Sequence, residues 1–83
     1  MDFKKRVKII KKILFVEYER TYKIKEDDWI DEANELSNLI SNTKDSEYVV
    51  KLYSEKLTSF FPDDTYTNFE PISRKIVDAL NSY

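Results

Sequence analysis

The chain of 83 residues contains no glycine, and this absence limits the backbone turns that it can form. Tight β-hairpins use type I′ or II′ turns, which need the positive φ angles that glycine adopts most easily. Asparagine also tolerates such angles, so Asn42 and Asn81 are the residues expected to end helices. The sequence therefore favours helices over sheets.

Apolar residues recur at helical spacing in four segments of the chain. The predicted helices cover about residues 2–22, 28–41, 46–60 and 70–81. Asp45 or Ser46 can begin the third helix, and Pro62 ends it, because the residue before a proline avoids the α region. Pro71 is tolerated in the first turn of the fourth helix. We predict an all-α fold, a small antiparallel four-helix bundle that forms one domain over residues 1–83.

The core is expected to contain the apolar face of each helix. Its predicted members are Phe3, Val7, Ile10, Leu14 and Tyr18; Trp29, Ala33, Leu36 and Ile40; Val49, Leu52, Tyr53, Leu57 and Phe60; and Ile72, Ile76, Ala79, Leu80 and Tyr83. Ile9, Ile13 and Val16 widen the apolar arc of the first helix, so we expect it to be central, with more than one neighbour. The segment ILFVEY (13–18) also has strand propensity, but a lone strand would have no partner here.

The sequence contains neither histidine nor cysteine, which excludes several kinds of catalytic and metal site. These residues provide the commonest general base, the commonest zinc ligands and the Ser/His and Cys/His nucleophile pairs. We therefore expect a protein that is not an enzyme and needs no cofactor or metal. The remaining alternative is a carboxylate site for Mg²⁺ or Ca²⁺ at Glu26, Asp27, Asp28 and Asp31, which lacks the spacing of an EF-hand loop.

The hydropathy of the chain indicates a protein without membrane contact. The longest apolar run, ILFV at residues 13–16, is far shorter than the roughly 20 residues that cross a bilayer. The N-terminus lacks the layout of a signal peptide, and the absence of cysteine suits a reducing compartment. We expect a cytoplasmic location.

Charge is divided unevenly along the chain. Residues 1–25 carry nine Lys or Arg against three acids, whereas residues 26–83 carry five against thirteen. Within the second helix, four acids follow one another at i, i+3, i+4 and i+7 and so share one stripe. These four residues, Asp28, Asp31, Glu32 and Glu35, are called the acidic ridge below.

Two explanations of the acidic ridge remain open. Acids in a first turn favour the helix dipole by roughly 0.3 to 1 kcal/mol each, which explains Asp28 and Asp31 without a partner. Glu32 and Glu35 lie further along, and like charges at i, i+4 repel. The later helices carry opposite-charge pairs at this spacing: Glu47 with Lys51, and Glu70 with Arg74. The ridge is therefore balanced either by lysines of the first helix within the fold or by a basic partner outside it.

The first helix carries a basic face, which consists of Lys4, Lys5, Lys8, Lys11 and Lys12. Basic amphipathic helices bind nucleic acids and anionic membranes, so these lysines are candidate nucleic-acid contacts. The other explanation is that they solvate the outer side of a packed helix. The isoelectric point near 5.1 and the acidic remainder of the chain oppose an approach to phosphates.

The segment FFPDDTYTNFEP (60–71) lacks helical periodicity and places aromatic residues beside acids. Tyrosine and other aromatic residues are enriched at the hot spots of protein interfaces. Tyr66 and Phe69 are therefore candidate anchors for a partner. The alternative is that Phe61 and Phe69 close one end of the bundle.

The longer segment FFPDDTYTNFEPISRKIVDAL, residues 60–80, resembles the C-terminal part of the bacterial self-protective immunity proteins that neutralise colicin-D-type nucleases. The pattern is an aromatic-Pro-Asp loop, an acid-bearing linker and a short last helix, in about a quarter of the chain. The resemblance implies a helical bundle whose acidic surface covers the basic, RNA-binding active site of a toxin domain. By position, it carries over Asp63, Asp64 and Glu70 as acids that meet cations of the toxin.

Together these features predict a small non-catalytic immunity or inhibitor protein, a monomer when free, that blocks the basic active site of a nuclease toxin or a similar nucleic-acid enzyme. The residues expected to contact this basic protein partner are Asp28, Asp31, Glu32, Glu35, Asp63, Asp64, Tyr66, Phe69 and Glu70. The alternative is a phage- or plasmid-encoded regulator that binds nucleic acid through the basic face.

Overall fold

The computed structural model describes residues 2–18, 25–39 and 45–82, which form four α-helices and one short 3₁₀ helix. The bounds are Phe3–Tyr18 for α1, Glu26–Trp29 for the 3₁₀ helix, Ile30–Asn38 for α2, Ser46–Phe60 for α3 and Glu70–Asn81 for α4. No strand occurs within these ranges, and the segment ILFVEY is helical. The predicted all-α fold is confirmed.

The helix boundaries agree closely with the predicted ones. The predictions for α3 and α4 are confirmed at both ends. The second helical segment begins earlier than predicted, with the 3₁₀ helix, because the Asp28 carboxylate accepts a hydrogen bond from the Lys25 backbone N–H at 3.1 Å. The predicted continuation of the first helix to residue 22, the end of the second at residue 41, and Asn42 lie outside the described residues.

Side chains and prolines fix the starts of the helices. The Asp45 carboxylate accepts the Glu47 backbone N–H at 3.1 Å and thus caps α3. The Asp2 carboxylate accepts the Lys5 backbone N–H at 2.7 Å, ahead of α1. Pro71 occupies the first turn of α4, where its missing N–H leaves no hydrogen bond unmade.

The described turns are built without left-handed backbone, in agreement with the absence of glycine. No residue in the described ranges has a positive φ angle. Asn81 is the last residue of α4, as predicted, but Ser82 follows it with φ −84° and ψ −5° rather than in a left-handed conformation. Phe61, which precedes Pro62, has φ −126° and ψ 68° and so ends α3.

Each helix packs against the next one along the chain, and α4 returns to α1. α1 contacts α2, the 3₁₀ helix and α4, while α3 contacts α4 and α2. Side-chain contacts show that α3 and α4 are antiparallel, because Asn81 donates to Ser46 at 3.3 Å and Ser54 donates to Ser73 at 3.1 Å. The first helix has several neighbours, as predicted, but it is not central, since α3 lies diagonally across the bundle from it.

Apolar side chains from every helix form the core. The buried members are Val7, Ile10, Leu14, Trp29, Ala33, Leu36, Val50, Tyr53, Leu57, Phe69, Ile72, Ile76 and Val77. The predictions that Phe3 is a core residue and that Val16 widens the packed face of α1 were wrong. Phe3, in the first turn of α1, is 40% exposed, and Val16 is 63% exposed. Val16 follows Lys12 by four residues and so lies on the same solvent-facing side of α1.

Two further core assignments differ from the prediction by one or two residues. Val50 rather than Val49 is the buried valine of α3, because it lies in line with the buried Tyr53 and Leu57. In α4, Val77 is buried, whereas Ala79 is only half-buried. The predicted core residues Ile40 and Tyr83 lie outside the described residues.

Two buried serines differ in their hydrogen bonds. Ser37 of α2 is 1% exposed, and its hydroxyl has no hydrogen-bond partner in the described part of the chain. Ser73 of α4 is also buried, but its hydroxyl donates to the Phe69 carbonyl at 2.7 Å and accepts from Ser54 at 3.1 Å. A buried hydroxyl without a partner costs roughly 1 to 3 kcal/mol.

We expect Ser37→Ala to raise the free energy of unfolding by about 1 kcal/mol, because it removes an unpaired hydroxyl and introduces a better helix former. The matched substitution Ser73→Ala breaks two hydrogen bonds, so it should leave stability unchanged or lower it by about 1 kcal/mol. Urea unfolding of both variants measures the difference. A Ser37→Ala protein less stable than Ser73→Ala would show that the Ser37 hydroxyl is hydrogen-bonded.

Candidate functional site

The acidic ridge runs from the 3₁₀ helix along α2, and its last member, Glu35, faces α3. Glu35 reaches across to Lys56 of α3, with 3.9 Å between carboxylate oxygen and Nζ. The sequence predicts that lysines of the first helix or an outside partner balance the ridge, and this prediction is wrong for Glu35, since α3 provides a cation. Because both side chains remain partly exposed and the distance is long, the pair adds little to the free energy of folding.

The other three ridge acids have different surroundings. The Asp28 carboxylate serves the local cap described above, and Glu32 is half-buried with one carboxylate oxygen closed to solvent. Asp31 is exposed and makes no hydrogen bond or ion pair within the described residues. Asp31 is therefore the ridge carboxylate that is most available to a partner.

An ion pair between Lys11 and Asp27 joins the basic face to the acidic segment. Lys11 Nζ lies 2.6 Å from the Asp27 carboxylate, and the lysine side chain is only 18% exposed. The hydrogen bond from Lys11, and then its charge, hold the pKa of Asp27 below its usual value. One lysine of the predicted basic face thus has a role inside the fold.

The carboxylate cluster considered for a divalent cation does not form. No three acids among residues 2–18, 25–39 and 45–82 converge closely enough to hold a metal ion. Asp27 is directed to Lys11 and Asp28 to the backbone of Lys25, so neither carboxylate is turned toward a shared centre.

The remaining lysines of the basic face point into solvent. Lys4, Lys5, Lys8 and Lys12 are exposed, and their ammonium groups have no ion pair with any residue that the structure describes. Lys4 and Lys8 also line an open groove of about 380 Å³ between α1 and α2, together with the partly exposed Phe3 and Ile30. The groove combines cationic and apolar side chains.

The loop between α3 and α4 is ordered by Asp64. Its carboxylate accepts the backbone N–H of Tyr66 at 3.0 Å, the backbone N–H of Thr67 at 2.9 Å and the Thr67 hydroxyl at 2.5 Å. This turn leaves the Tyr66 side chain 97% exposed. Asp63 is exposed and makes no hydrogen bond or ion pair in the described ranges.

The two candidate aromatic anchors have opposite environments. Tyr66 lies in solvent, whereas Phe69 is 3% exposed and belongs to the core, so Phe69 is not available to a partner. Its ring stacks on Phe61 with 5.7 Å between centroids. The alternative, that Phe61 and Phe69 close the end of the bundle, is confirmed by this packing.

Four aromatic rings form a cluster at that end of the bundle, and we call them the aromatic cluster: Tyr18, Trp29, Phe61 and Phe69. Tyr18 lies 5.6 Å from Trp29, 6.1 Å from Phe61 and 6.5 Å from Phe69 between centroids. The Trp29 and Phe61 rings are 6.1 Å apart. Asp28 precedes Trp29 and Asp63 follows Phe61 by two residues, so the cluster brings the start of the acidic ridge beside the loop.

Glu70 of α4 belongs to an ion-pair network on the side of α3 that is opposite to Lys56. Its carboxylate lies 2.9 Å from Arg74, and Arg74 also forms two hydrogen bonds to Glu47, at 2.6 and 3.1 Å. The predicted pair of Glu70 with Arg74 is confirmed, whereas Glu47 binds Arg74 instead of the predicted Lys51. The hydrogen bonds and charge of Arg74 lower the pKa of Glu47. Glu70 is therefore already paired within the fold.

A second groove lies beside the loop, and the sequence did not indicate it. This open space of about 480 Å³ is lined by Phe60, Phe61, Pro62, Asp63, Asp64 and Tyr66. Phe60 was expected in the core but is only half-buried, and Lys56 Nζ lies 5.7 Å from its ring centroid. The helical spacing of Phe60 signals a core residue, so only its position at the last residue of α3 could have indicated partial exposure.

None of the described helices has the length and apolar character needed to cross a membrane. Comparison with protein-family models, with curated proteins and with solved structures finds no match to this chain. The arrangement of acids, cations and aromatic rings described above is therefore the basis of the functional proposal.

Proposed function

We propose that this protein is a small non-catalytic inhibitor of the immunity type, whose acidic surface binds and blocks the basic active site of a nuclease toxin or a similar nucleic-acid enzyme. The observation that carries the proposal is the packing of Trp29 against Phe61. This contact supports the proposal because it brings the start of the acidic ridge near the loop that exposes Asp63 and Tyr66. The exposed carboxylates and the tyrosine thus belong to neighbouring parts of the fold.

Such a surface suits a basic partner for physical reasons. The active site of a nuclease is cationic because it holds phosphates, and exposed carboxylates can take the place of those phosphates. Complementary charge also accelerates association by steering the encounter. The resemblance of residues 60–80 to colicin-D-type immunity proteins supports the same class of partner. Of the three acids that it carries over, Asp63 is the one that is exposed and has no partner among the described residues.

Charge reversal at Asp31 and at Asp63, two acids without a partner among the described residues, tests the proposal. We expect Asp31→Lys and Asp63→Lys each to weaken binding to the partner by at least about tenfold, because like charges at an interface cost several kcal/mol. Neither acid has a partner to lose within the described residues, so thermal stability should be retained. The measurement is survival of bacteria that co-express the protein with each of a set of colicin-D-type nuclease domains.

The matched control is Asp78→Lys, which makes the same change in net charge at an exposed acid near the C-terminal end of α4. This variant should protect as well as the parent. The proposal would be contradicted if the parent protected against none of the nucleases. It would also be contradicted if all three variants were stable and protected equally well: Asp31→Lys, Asp63→Lys and Asp78→Lys.

A second candidate function is nucleic-acid binding by the basic face. It is favoured by the exposure of Lys4, Lys5, Lys8 and Lys12, whose ammonium groups have no ion pair among the described residues. Their spacing along about two and a half turns of α1 could neutralise several phosphates. The acids of the remaining chain oppose this binding, so it ranks behind the inhibitor.

If the inhibitor proposal is right, the double variant Lys4→Gln/Lys8→Gln protects against the nuclease as well as the parent does. Fluorescence anisotropy with single-stranded RNA and duplex DNA should then show no difference between the double variant and Lys51→Gln, an exposed lysine of α3. A loss of nucleic-acid affinity of about tenfold in the double variant alone, with a shallower salt dependence, would favour the second function instead.

A further inference from the structure

The groove beside the loop combines aromatic rings with carboxylates. Phe60, Phe61 and Tyr66 provide ring surface, and Asp63 and Asp64 provide negative charge. Asp64 is occupied by the turn that holds Tyr66, whereas Asp63 has no partner among the residues described. One ring face and one free carboxylate are therefore presented together to solvent.

The groove already lies next to a cation of the protein itself. Lys56 Nζ is 5.7 Å from the centroid of the Phe60 ring, within the range of a cation–π interaction. The same ammonium group lies 3.9 Å from Glu35 of the acidic ridge. The surroundings of Phe60 are thus electrostatically suited to a positive charge.

From these contacts we infer that the groove binds an arginine side chain of the basic partner, held between the Tyr66 ring and the Asp63 carboxylate. This inference rests on the proposed function and names the chemistry of one contact within it. A guanidinium group is planar, so it can stack on an aromatic ring and bind a carboxylate through two N–H groups at once. An apolar segment in the same place would bury the Asp63 charge without a partner.

The position of Lys56 makes it an internal competitor for this site. Its ammonium group occupies the space over Phe60 and neutralises part of the negative potential that an incoming arginine would meet. Removing this charge leaves the Phe60 ring and the Glu35 carboxylate free for the arginine. Lys56→Gln therefore strengthens binding, in the opposite direction to substitutions of Asp63 and Tyr66.

The test is an NMR titration of the full chain with a short peptide whose only charged group is one arginine side chain. The comparison is the same peptide with citrulline, which is uncharged and similar in shape, in place of the arginine. The arginine peptide is expected to shift the backbone signals of residues 60–67 in a saturable way, and the citrulline peptide is not. Asp63→Asn and Tyr66→Ala should each weaken the binding of the arginine peptide at least about fivefold. Lys56→Gln should strengthen it about threefold, and the matched control Lys51→Gln should leave it unchanged.

Equal shifts with citrulline, shifts confined to residues outside 60–67, or no saturable shift would overturn the inference. Tyr66→Ala and Asp63→Asn change exposed side chains, so both variants should fold, and their helical circular dichroism is the control that checks this.

Nuclease protection measured in parallel separates the groove proposal from the proposed function. Binding of the arginine peptide without protection from any nuclease supports the groove and contradicts the proposed function. If the Asp63→Asn and Tyr66→Ala variants still protect against a nuclease and the arginine peptide does not bind, the arginine site in the groove is overturned while the proposed function stands.

Discussion

The aromatic cluster of Tyr18, Trp29, Phe61 and Phe69 holds the functional end of the bundle together. Its four rings come from the end of α1, the 3₁₀ helix, the residue after α3 and the residue before α4. Each aromatic pair at these distances contributes about 0.5 to 1.5 kcal/mol beyond the burial of its area. The relative positions of the acidic ridge and the loop depend on these contacts, because both segments continue directly from a ring of the cluster.

The uneven distribution of charge along the chain is partly neutralised when the helices pack. Cations of one helix meet acids of another in the pairs Lys11 with Asp27, Lys56 with Glu35, Lys75 with Glu17 and Arg74 with Glu47. Each pair is at least partly exposed and so stabilises the fold only weakly. Among the described residues, these pairs do not include Lys4, Lys5, Lys8 and Lys12 of α1 or the carboxylates of Asp31 and Asp63, which are the groups that the proposals use.

The fold could be predicted from the sequence because local patterns specify it. Apolar spacing, Pro62, Pro71 and the absence of glycine are all local signals, and α3 and α4 follow them to the residue. The candidate site could be predicted only in part. Asp63 and Asp64 are adjacent in the chain, yet one is exposed and the other forms a turn, and no periodic pattern distinguishes them. Partners from another helix, such as Lys56, depend on packing geometry that local sequence does not contain.

The aromatic cluster buries Trp29 and thereby brings the start of the ridge next to the loop. Trp29 is the sole tryptophan of the chain and is fully buried, so tryptophan fluorescence reports on its surroundings in and around the cluster. The most direct measurement is acrylamide quenching of this fluorescence in the parent and in Phe61→Ala, with circular dichroism to confirm equal helix content. We expect strong protection from quenching in the parent and clearly increased quenching in Phe61→Ala. Free quenching of the parent, or equal protection in both proteins, would contradict this expectation.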